Sequence, residues 1–279
     1  MTQKIVSTDW LLEHLQDENL RVVDIRGRVL SPDAPLPHYY AHRDDYLAAH
    51  IPNAVFVDWT KDIVDPESRS QDVASAEAFG AFMGALGISN AHVVVAYDDF
   101  GGIFSARLWW AMNYYGHQQV AILDGGWKKW LVEGKPTQSV LPNITPTTFN
   151  AVPQAGWRVT AQDVLARAEG TVLVDVRTPE EYRGESSRAK RTGHIPSAVN
   201  VPRGTLISAD GTMPTPEVLR TTFAQQGITL DTPEIVLYCN AGVSASYGLL
   251  ALKVAGYRGG VVYDGSWKDW GNDDTKPIA

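Results

Sequence analysis

An internal repeat limits the possible folds of this chain more strongly than any other feature. Four sequence blocks occur twice and in the same order: RVVDIRG and VLVDVRT, AHIPNAVFVD and GHIPSAVNVP, VVVAYDD and EIVLYCN, DGGWKKW and DGSWKDW. The third and fourth blocks lie 26 residues apart in the first copy (Asp98 to Asp124) and 25 apart in the second (Cys239 to Asp264). Solenoid units span about 20–50 residues, whereas each copy takes up roughly half of this chain. The repeat therefore indicates a duplicated domain.

The region between the two copies has the composition of a linker. Gly134 to Gly156 contains four prolines and shows no helical periodicity. Such a segment is typical of an extended connection across a protein surface. We predict a first domain over residues 1–135, a linker over 136–156 and a second domain over 157–279.

Within each copy, short β-branched runs alternate with helical stretches. In the second copy the expected strands are Val172–Val174, Ala198–Asn200, Ile235–Tyr238 and Gly260–Tyr263. A helix is expected over 215–226, with Thr215 as its cap and Pro216 at its first position. Apolar strands that alternate with helices predict an α/β fold, in which each domain is a mostly parallel sheet flanked by helices. Ligands bind such sheets at the carboxyl ends of the strands.

The only cysteine of the chain, Cys239, stands at one of these strand ends. The residues of the loop that follows are Asn240, Ala241, Gly242, Val243 and Ser244. The loop has no cationic side chain, but a helix expected from its end would bring unpaired N–H groups and a positive dipole end close to the sulfur. Because these donors favour the thiolate, which is the reactive form of cysteine, we predict that Cys239 is a nucleophile. The alternative is a buried cysteine that closes a strand.

The first copy differs from the second at this position. Where the second copy has Cys239, the first has Asp98. A carboxylate cannot serve as a sulfur nucleophile, so we predict that only the second domain is catalytic and that the first is inactive.

Composition excludes several classes of partner. The net charge of −8 argues against nucleic-acid binding, which requires a basic face. No apolar run approaches the ~20 residues of a membrane helix, and the first residues do not have the pattern of a signal peptide, so we expect no membrane association. A single cysteine cannot form an internal disulfide, which favours a cytoplasmic location. We expect no cofactor and no metal.

The ordered set of motifs resembles the tandem-domain rhodanese sulfurtransferases. The resemblance rests on the duplicated DVR, HIP and AVNVP elements, the lone cysteine of the second copy, the aspartate that replaces it in the first, and DGSWKDWG near the end. It implies two rhodanese domains and a persulfide mechanism. In that mechanism Cys239 takes sulfane sulfur from a small anionic donor and passes it to cyanide or a thiol acceptor.

The resemblance leaves the donor open between thiosulfate and 3-mercaptopyruvate. The loop reads CNAGVS, without the cations of many thiosulfate enzymes and without the CGSGVT pattern of the mercaptopyruvate enzymes. Glu181 replaces one of the two arginines by which the mercaptopyruvate group binds a carboxylate, although Arg188 can match the other. We expect thiosulfate, with 3-mercaptopyruvate as the alternative.

The candidate donor-binding cations lie in one basic run. It consists of Arg183, Arg188, Lys190 and Arg191. Guanidinium groups near Cys239 would hold an anionic donor, and we predict Arg188 first and Arg183 second for this role. The alternative is a solvated basic face.

Two other functions compete with sulfur transfer catalysed by the protein. A phosphatase with a similar fold needs an arginine six residues after the cysteine, and Ala245 stands there. A non-enzymatic sulfur carrier or interaction module would carry the same cysteine, and only turnover with small donors separates it from an enzyme.

Overall fold

The computed structural model describes residues 3–279, which form two compact units. The first unit contains the chain up to Pro66, Val73–Gln154 and Ala209–Thr212. The second contains Glu67–Asp72, Ala155–Ser208 and Met213–Ala279. Each unit therefore contains one copy of the sequence repeat.

The first unit is built on a five-stranded parallel sheet. Its strands are β1 (Ile5–Val6), β2 (Leu20–Asp24), β5 (Val55–Phe56), β6 (Val93–Tyr97) and β7 (Val120–Leu123), and β3 (Gly27–Val29) pairs with β4 (Tyr39–Ala41) in a separate antiparallel ribbon. Its helices are α1 (Thr8–His14), α2 (Arg43–Ala48), α3 (Ala76–Ala85), α4 (Ile103–Tyr114) and α5 (Gly126–Val132). The strand order is β1-β7-β6-β2-β5.

The second unit repeats this arrangement. Its strands are β8 (Arg158–Val159), β9 (Val172–Asp175), β10 (Val199–Asn200), β11 (Ile235–Tyr238) and β12 (Val261–Tyr263). Its helices are α6 (Ala161–Leu165), α7 (Pro179–Tyr182), α8 (Pro216–Ala224), α9 (Val243–Ala255) and α10 (Ser266–Trp270), with a 3-10 helix over Arg203–Leu206. All pairings are parallel, in the order β10-β9-β11-β12-β8.

The predicted α/β class, with two mostly parallel sheets flanked by helices, is confirmed. The central strand β11 has the expected bounds and is buried at all four positions, as a strand covered on both faces should be. Thr215 precedes α8 and Pro216 is its first residue, as expected, but the helix ends at Ala224 because the chain turns at Gly227. Sequence analysis missed β8, since two residues at a sheet edge carry too little periodicity to detect.

In each unit a buried ion pair of the first repeat block packs against the fourth repeat block. Arg177 pairs with Asp175 at the end of β9, and its guanidinium lies 4.4 Å from the ring centre of Trp267. In the first unit Arg26 pairs with Asp24 and lies 4.3 Å from the ring centre of Trp127. A buried charge needs such a partner, and the aromatic face adds a cation–π contact. In each unit the arginine of the first block therefore contacts the tryptophan of the fourth block.

The segment expected to be a linker has no helix or named strand from residue 136 to 156. Most of it packs on the first unit. The backbone N–H of Thr147 donates to the Gly84 carbonyl at 2.8 Å, and the Phe149 ring, which is buried, contacts Phe79 with ring centres 5.9 Å apart. Residues up to Gln154 therefore belong structurally to the first unit.

Residues 3–279 lack two features of other protein classes. None of the helices there is long and apolar enough to cross a membrane. Over the same range, no group of three or more His, Cys, Asp or Glu side chains is arranged to hold a metal ion.

Candidate active site

Cys239 lies between the end of β11 and the start of α9, and its thiol is free and buried, with 4% of the residue exposed. The chain turns sharply at Gly242, whose φ of 72° is the left-handed conformation that glycine adopts without strain. Gly242 caps α9. The turn therefore places the cysteine beside the first turn of α9, whose N–H groups have no acceptor within the helix.

The hydroxyl of Ser266 is hydrogen-bonded to the backbone of the cysteine loop. Its Oγ accepts hydrogen bonds from the backbone N–H groups of Cys239 at 3.2 Å and Gly242 at 3.1 Å, and it donates to the Tyr263 carbonyl at 2.8 Å. Ser266 is fully buried and has a φ of 51°, a conformation that costs free energy in a non-glycine residue. Sequence analysis missed Ser266. The signal was the change from DGGW to DGSW, because Gly126 has the same left-handed conformation in the first unit.

Asp98 shows how the corresponding loop of the first unit binds a negatively charged group. One carboxylate oxygen accepts from the backbone N–H groups of Phe100 at 2.8 Å and Gly102 at 2.9 Å; the other accepts from Phe104 N–H at 2.9 Å and from Ser105 N–H and Oγ at 2.9 and 3.0 Å. Complete burial raises the pKa of the Asp98 carboxyl, and the hydrogen bonds from the loop oppose that shift. The loop is an anion cradle made almost wholly of backbone donors.

Asp98 and Cys239 occupy equivalent positions. The carbonyl of Asp98 accepts from the Trp127 N–H at 2.8 Å, and the carbonyl of Cys239 accepts from the Trp267 N–H at 2.9 Å. The helix starts five residues after Asp98 and four residues after Cys239, so the loop of the second unit is one residue shorter. In that unit the Ser266 hydroxyl, rather than an acidic side chain, accepts from the capping glycine.

The remaining predicted loop residues are largely buried. Ala241 and Val243 are buried, and Ser244 is half-buried in the first turn of α9. Ala245, where a phosphatase would need its arginine, is completely buried.

Asn240 connects the loop to a buried acidic residue. Its Nδ2 donates to Oε1 of Glu181 at 2.8 Å, while its Oδ1 is buried without a hydrogen-bond partner among the described residues. Arg188 approaches the same Glu181 oxygen, with Nε at 3.7 Å and only 9% of its side chain exposed. The predicted residues Arg188 and Asn240 therefore meet at Glu181. Sequence analysis treated Glu181 only as the replacement of an arginine.

Lys268 is a second cation beside the loop, and sequence analysis missed it. Its backbone N–H donates to the Asn240 carbonyl at 2.9 Å, and its Nζ donates to Oε1 of Gln71 at 3.0 Å. Burial, reinforced by the positive charge of Arg188, lowers the pKa of Lys268 to about 8, and the negative charge of the Cys239 thiolate opposes this shift. Two cationic side chains, Arg188 and Lys268, therefore lie beside a loop that has no cationic side chain of its own.

The other members of the basic run lie elsewhere. Arg183 is half-exposed and pairs with Glu185 at 2.7 Å. Lys190 pairs with Asp274 at 2.5 Å on the surface, and Arg191 donates to the carbonyls at the end of α10, including that of Trp270 at 2.8 Å. Cations stabilise helix C-termini, which accounts for Arg191. Of the two arginines predicted to bind the donor, the structure brings only Arg188 to the loop.

Comparisons with known proteins identify the family of the chain. The model of the rhodanese-like domain matches the chain twice, over residues 7–133 and 160–273. The chain is 38% identical to the sulfur carrier protein TtuD of Thermus thermophilus (99% of this chain, 96% of the relative) and 34% identical to thiosulfate sulfurtransferase of Rattus norvegicus (95% and 91%). The crystal structure of the 3-mercaptopyruvate sulfurtransferase SseA from Escherichia coli superposes with a TM-score of 0.83 at 29% identity, covering 95% of this chain and 99% of that one. With two rhodanese-like domains and full-length relatives of this kind, the chain belongs to the tandem-domain rhodanese sulfurtransferase family.

Proposed function

We propose that this protein is an enzyme that transfers sulfane sulfur from thiosulfate to cyanide or a thiol acceptor through a persulfide on Cys239. One observation carries the proposal. Cys239 takes the position at which Asp98, in the other copy of the same fold, is bound as an anion by backbone donors. A thiolate or a persulfide is an anion of comparable size, and a cradle of N–H dipoles stabilises either one.

In the first half-reaction the Cys239 thiolate attacks the outer sulfur of thiosulfate. A bond forms between Sγ and that sulfur, and the sulfur–sulfur bond of thiosulfate breaks. Sulfite leaves with the electron pair of the broken bond, so no external oxidant or reductant is needed. The negative charge that remains on the terminal sulfur lies beside the first turn of α9.

In the second half-reaction the acceptor removes the terminal sulfur. Cyanide attacks it, the bond to Sγ breaks, and thiocyanate leaves while the Cys239 thiolate is regenerated. A thiolate acceptor would carry the sulfur away as its own persulfide. The same backbone donors that hold the persulfide then stabilise the thiolate as leaving group.

The cations beside the loop favour a donor with two negative charges. Arg188 and Lys268 both lie next to the Cys239 loop in a protein whose net charge is −8. Thiosulfate carries two charges, whereas 3-mercaptopyruvate has one carboxylate, and the place of a second carboxylate-binding arginine is taken by Glu181. 3-Mercaptopyruvate remains the alternative donor, supported by the likeness to the Escherichia coli enzyme.

A second candidate function is that of a sulfur carrier that docks with a protein acceptor. It is favoured by the 38% identity to a protein named as a sulfur carrier. The carrier and the enzyme share the persulfide and differ in turnover. Repeated cycles with small donors and acceptors would support the enzyme, and a single loading without turnover would support the carrier.

We propose that residues 1–135 form the inactive domain and residues 157–279 the catalytic one, joined by the 136–156 segment. Asp98 supports this division because its carboxylate fills the cradle that a persulfide would need. A free thiol nucleophile suits a reducing compartment, so we propose a cytoplasmic location.

The experiment that tests the proposed function is a steady-state comparison of donors. Sulfur transfer to cyanide is measured as kcat/KM with thiosulfate and with 3-mercaptopyruvate, for the wild type and for Cys239→Ser. We expect the higher kcat/KM with thiosulfate and none with Cys239→Ser. Activity retained by Cys239→Ser would overturn the mechanism, and a higher value for 3-mercaptopyruvate would overturn the choice of donor.

A further inference from the structure

The backbone of Lys268 is hydrogen-bonded to the cysteine loop. Its N–H donates to the Asn240 carbonyl at 2.9 Å, and the preceding residue, Trp267, donates to the Cys239 carbonyl at 2.9 Å. The start of α10 is therefore fixed to the loop by two consecutive hydrogen bonds. The side chain of Lys268 is half-buried, and its ammonium donates to the neutral side-chain carbonyl of Gln71 at 3.0 Å.

The burial of Lys268 is not imposed by the repeated fold. The equivalent residue in the first unit is Lys128, which follows Trp127 as Lys268 follows Trp267. Lys128 is exposed. A lysine at this place can thus reach solvent, and the half-buried position of Lys268 is specific to the copy that has the cysteine.

A second cation, Arg188, lies beside the same loop, because its Nε is 3.7 Å from the Glu181 oxygen that accepts from Asn240. The Arg188 guanidinium is close enough to Lys268 to lower the pKa of its ammonium, and the Cys239 thiolate is close enough to raise it. Acidic side chains lie on the neighbouring elements as well. Glu181 accepts from Asn240 and pairs with Arg188, and Asp269, on the same helix as Lys268, accepts from Tyr263 and Lys276. Asp72, next to Gln71, pairs with Arg158. Two cations beside one loop repel each other, and together they attract an anion more strongly than either cation does alone.

We propose that Lys268 is a substrate-binding residue that forms, together with Arg188, a two-cation site for the anionic end of the sulfur donor. The proposal rests on the proposed function, since it assigns the donor of that reaction. The sulfonate oxygens of thiosulfate lie against the ammonium and the guanidinium while the outer sulfur faces Cys239. As the sulfur–sulfur bond breaks, the charge of the departing sulfite grows on these oxygens, so the same two cations stabilise the leaving group.

The first test measures the anion site without sulfur transfer. Cys239 is the only cysteine, so alkylation reports on one thiol. Iodoacetate carries a carboxylate, and iodoacetamide is neutral but similar in size. The ratio of their rate constants with Cys239 therefore measures attraction of an anion separately from the reactivity of the thiol. We expect Lys268→Met to lower this ratio by about 10- to 150-fold, the effect of one charge-assisted contact, and Lys128→Met to leave it unchanged.

The second test measures the donor reaction. The second-order rate constant for formation of the persulfide from thiosulfate is followed by rapid quenching and intact-protein mass spectrometry from pH 6.5 to pH 10. Thiosulfate keeps both charges over about this range of pH, so the protein alone titrates. In the wild type the rate constant should decline as pH rises through about 8, where Lys268 loses its proton. Lys268→Arg should remove the decline, because arginine stays protonated up to about pH 12. Lys268→Met should be slow at every pH and show no such decline.

The outcomes separate the inference from the function on which it rests. If Lys268→Met matches Lys128→Met in both tests, Lys268 does not bind the donor, and this conclusion holds whether or not Cys239 forms a persulfide. Equal slowing of both alkylating reagents would also overturn the inference, since Lys268 would then act only by shaping the loop. A charge-dependent alkylation ratio in a protein that forms no persulfide would uphold the anion site and refute the sulfurtransferase function.

Discussion

Replacing Lys268 with methionine should stabilise the protein while it weakens the reaction. The ammonium ionises with a pKa of about 8, compared with 10.5 in an exposed lysine, so its charged form is less stable in the folded chain than in the unfolded one. A difference of that size corresponds to about 3 kcal/mol against folding when both states are protonated. Methionine has a similar length and volume and carries no charge. It gives up the hydrogen bond to Gln71, worth about 1 kcal/mol, which leaves a net gain of about 2 kcal/mol in the free energy of unfolding at pH 7.

The gain should depend on pH in a defined direction. Below pH 8 lysine is protonated in the folded and the unfolded state, and the wild type bears the whole cost of the buried charge. Between about pH 8 and 10.5 the folded protein has released the proton while the unfolded chain still binds it, so the wild type gains stability as pH rises. Above that window the cost is gone. Lys268→Met should therefore exceed the wild type most at neutral pH and lose that advantage by about pH 10.5.

Urea unfolding of the wild type, Lys268→Met and the control Lys128→Met, at pH 7 and at pH 10.5, provides the measurement. Other groups titrate in the same range, but they are common to all three proteins and cancel in the differences. Lys128→Met should match the wild type at both values, because Lys128 is exposed. If Lys268→Met is less stable than the wild type at pH 7, the ammonium is not a destabilising charge, and the argument from its burial is refuted.

Three further predictions concern the loop and its anion site. Ser266→Ala should lower kcat more than it raises KM and should reduce the free energy of unfolding by about 1–3 kcal/mol, because it leaves two buried N–H donors without their acceptor. Steady-state kinetics and chemical denaturation measure these two effects. A wild-type kcat would contradict the role of the hydroxyl. Arg188→Ala should raise KM for thiosulfate by about 10- to 150-fold, with only partial rescue by Arg188→Lys, and wild-type kinetics would place the guanidinium outside the site. Asp98→Asn should lower the free energy of unfolding in urea by about 3 kcal/mol, because the new amide NH₂ must face backbone N–H donors. It should leave kcat/KM of the folded protein nearly unchanged. A loss of activity as large as that of Cys239→Ser would show that Asp98 takes part in the reaction.

The sequence was sufficient for the fold class because the repeat and the hydrophobic pattern reflect local rules. The short apolar, β-branched run over Ile235–Tyr238 favours a buried strand, and the end of that strand fixes the position of Cys239. Gly242 likewise indicates the left-handed turn that precedes α9. These features depend on neighbours in the chain, so no tertiary information was needed.

The site residues that sequence analysis missed depend on contacts between distant segments. Lys128 and Lys268 occur in almost identical blocks, yet one is exposed and the other half-buried, and only the packing of the chain separates them. Arg183 and Arg188 belong to one basic run, but the short helix α7 and the turn after it direct the first to the surface and the second to Glu181. Charge composition alone could not have distinguished these pairs.

The most direct test of the central claim is to find the transferred sulfur on Cys239. The protein is treated with thiosulfate, freed of the donor and analysed by intact-protein and peptide mass spectrometry, and then exposed to cyanide while thiocyanate is measured. The proposed mechanism predicts one additional sulfur atom per chain, located on the peptide that contains Cys239, and its release as one equivalent of thiocyanate. A protein that turns over thiosulfate and cyanide while Cys239 never carries the additional sulfur would contradict it.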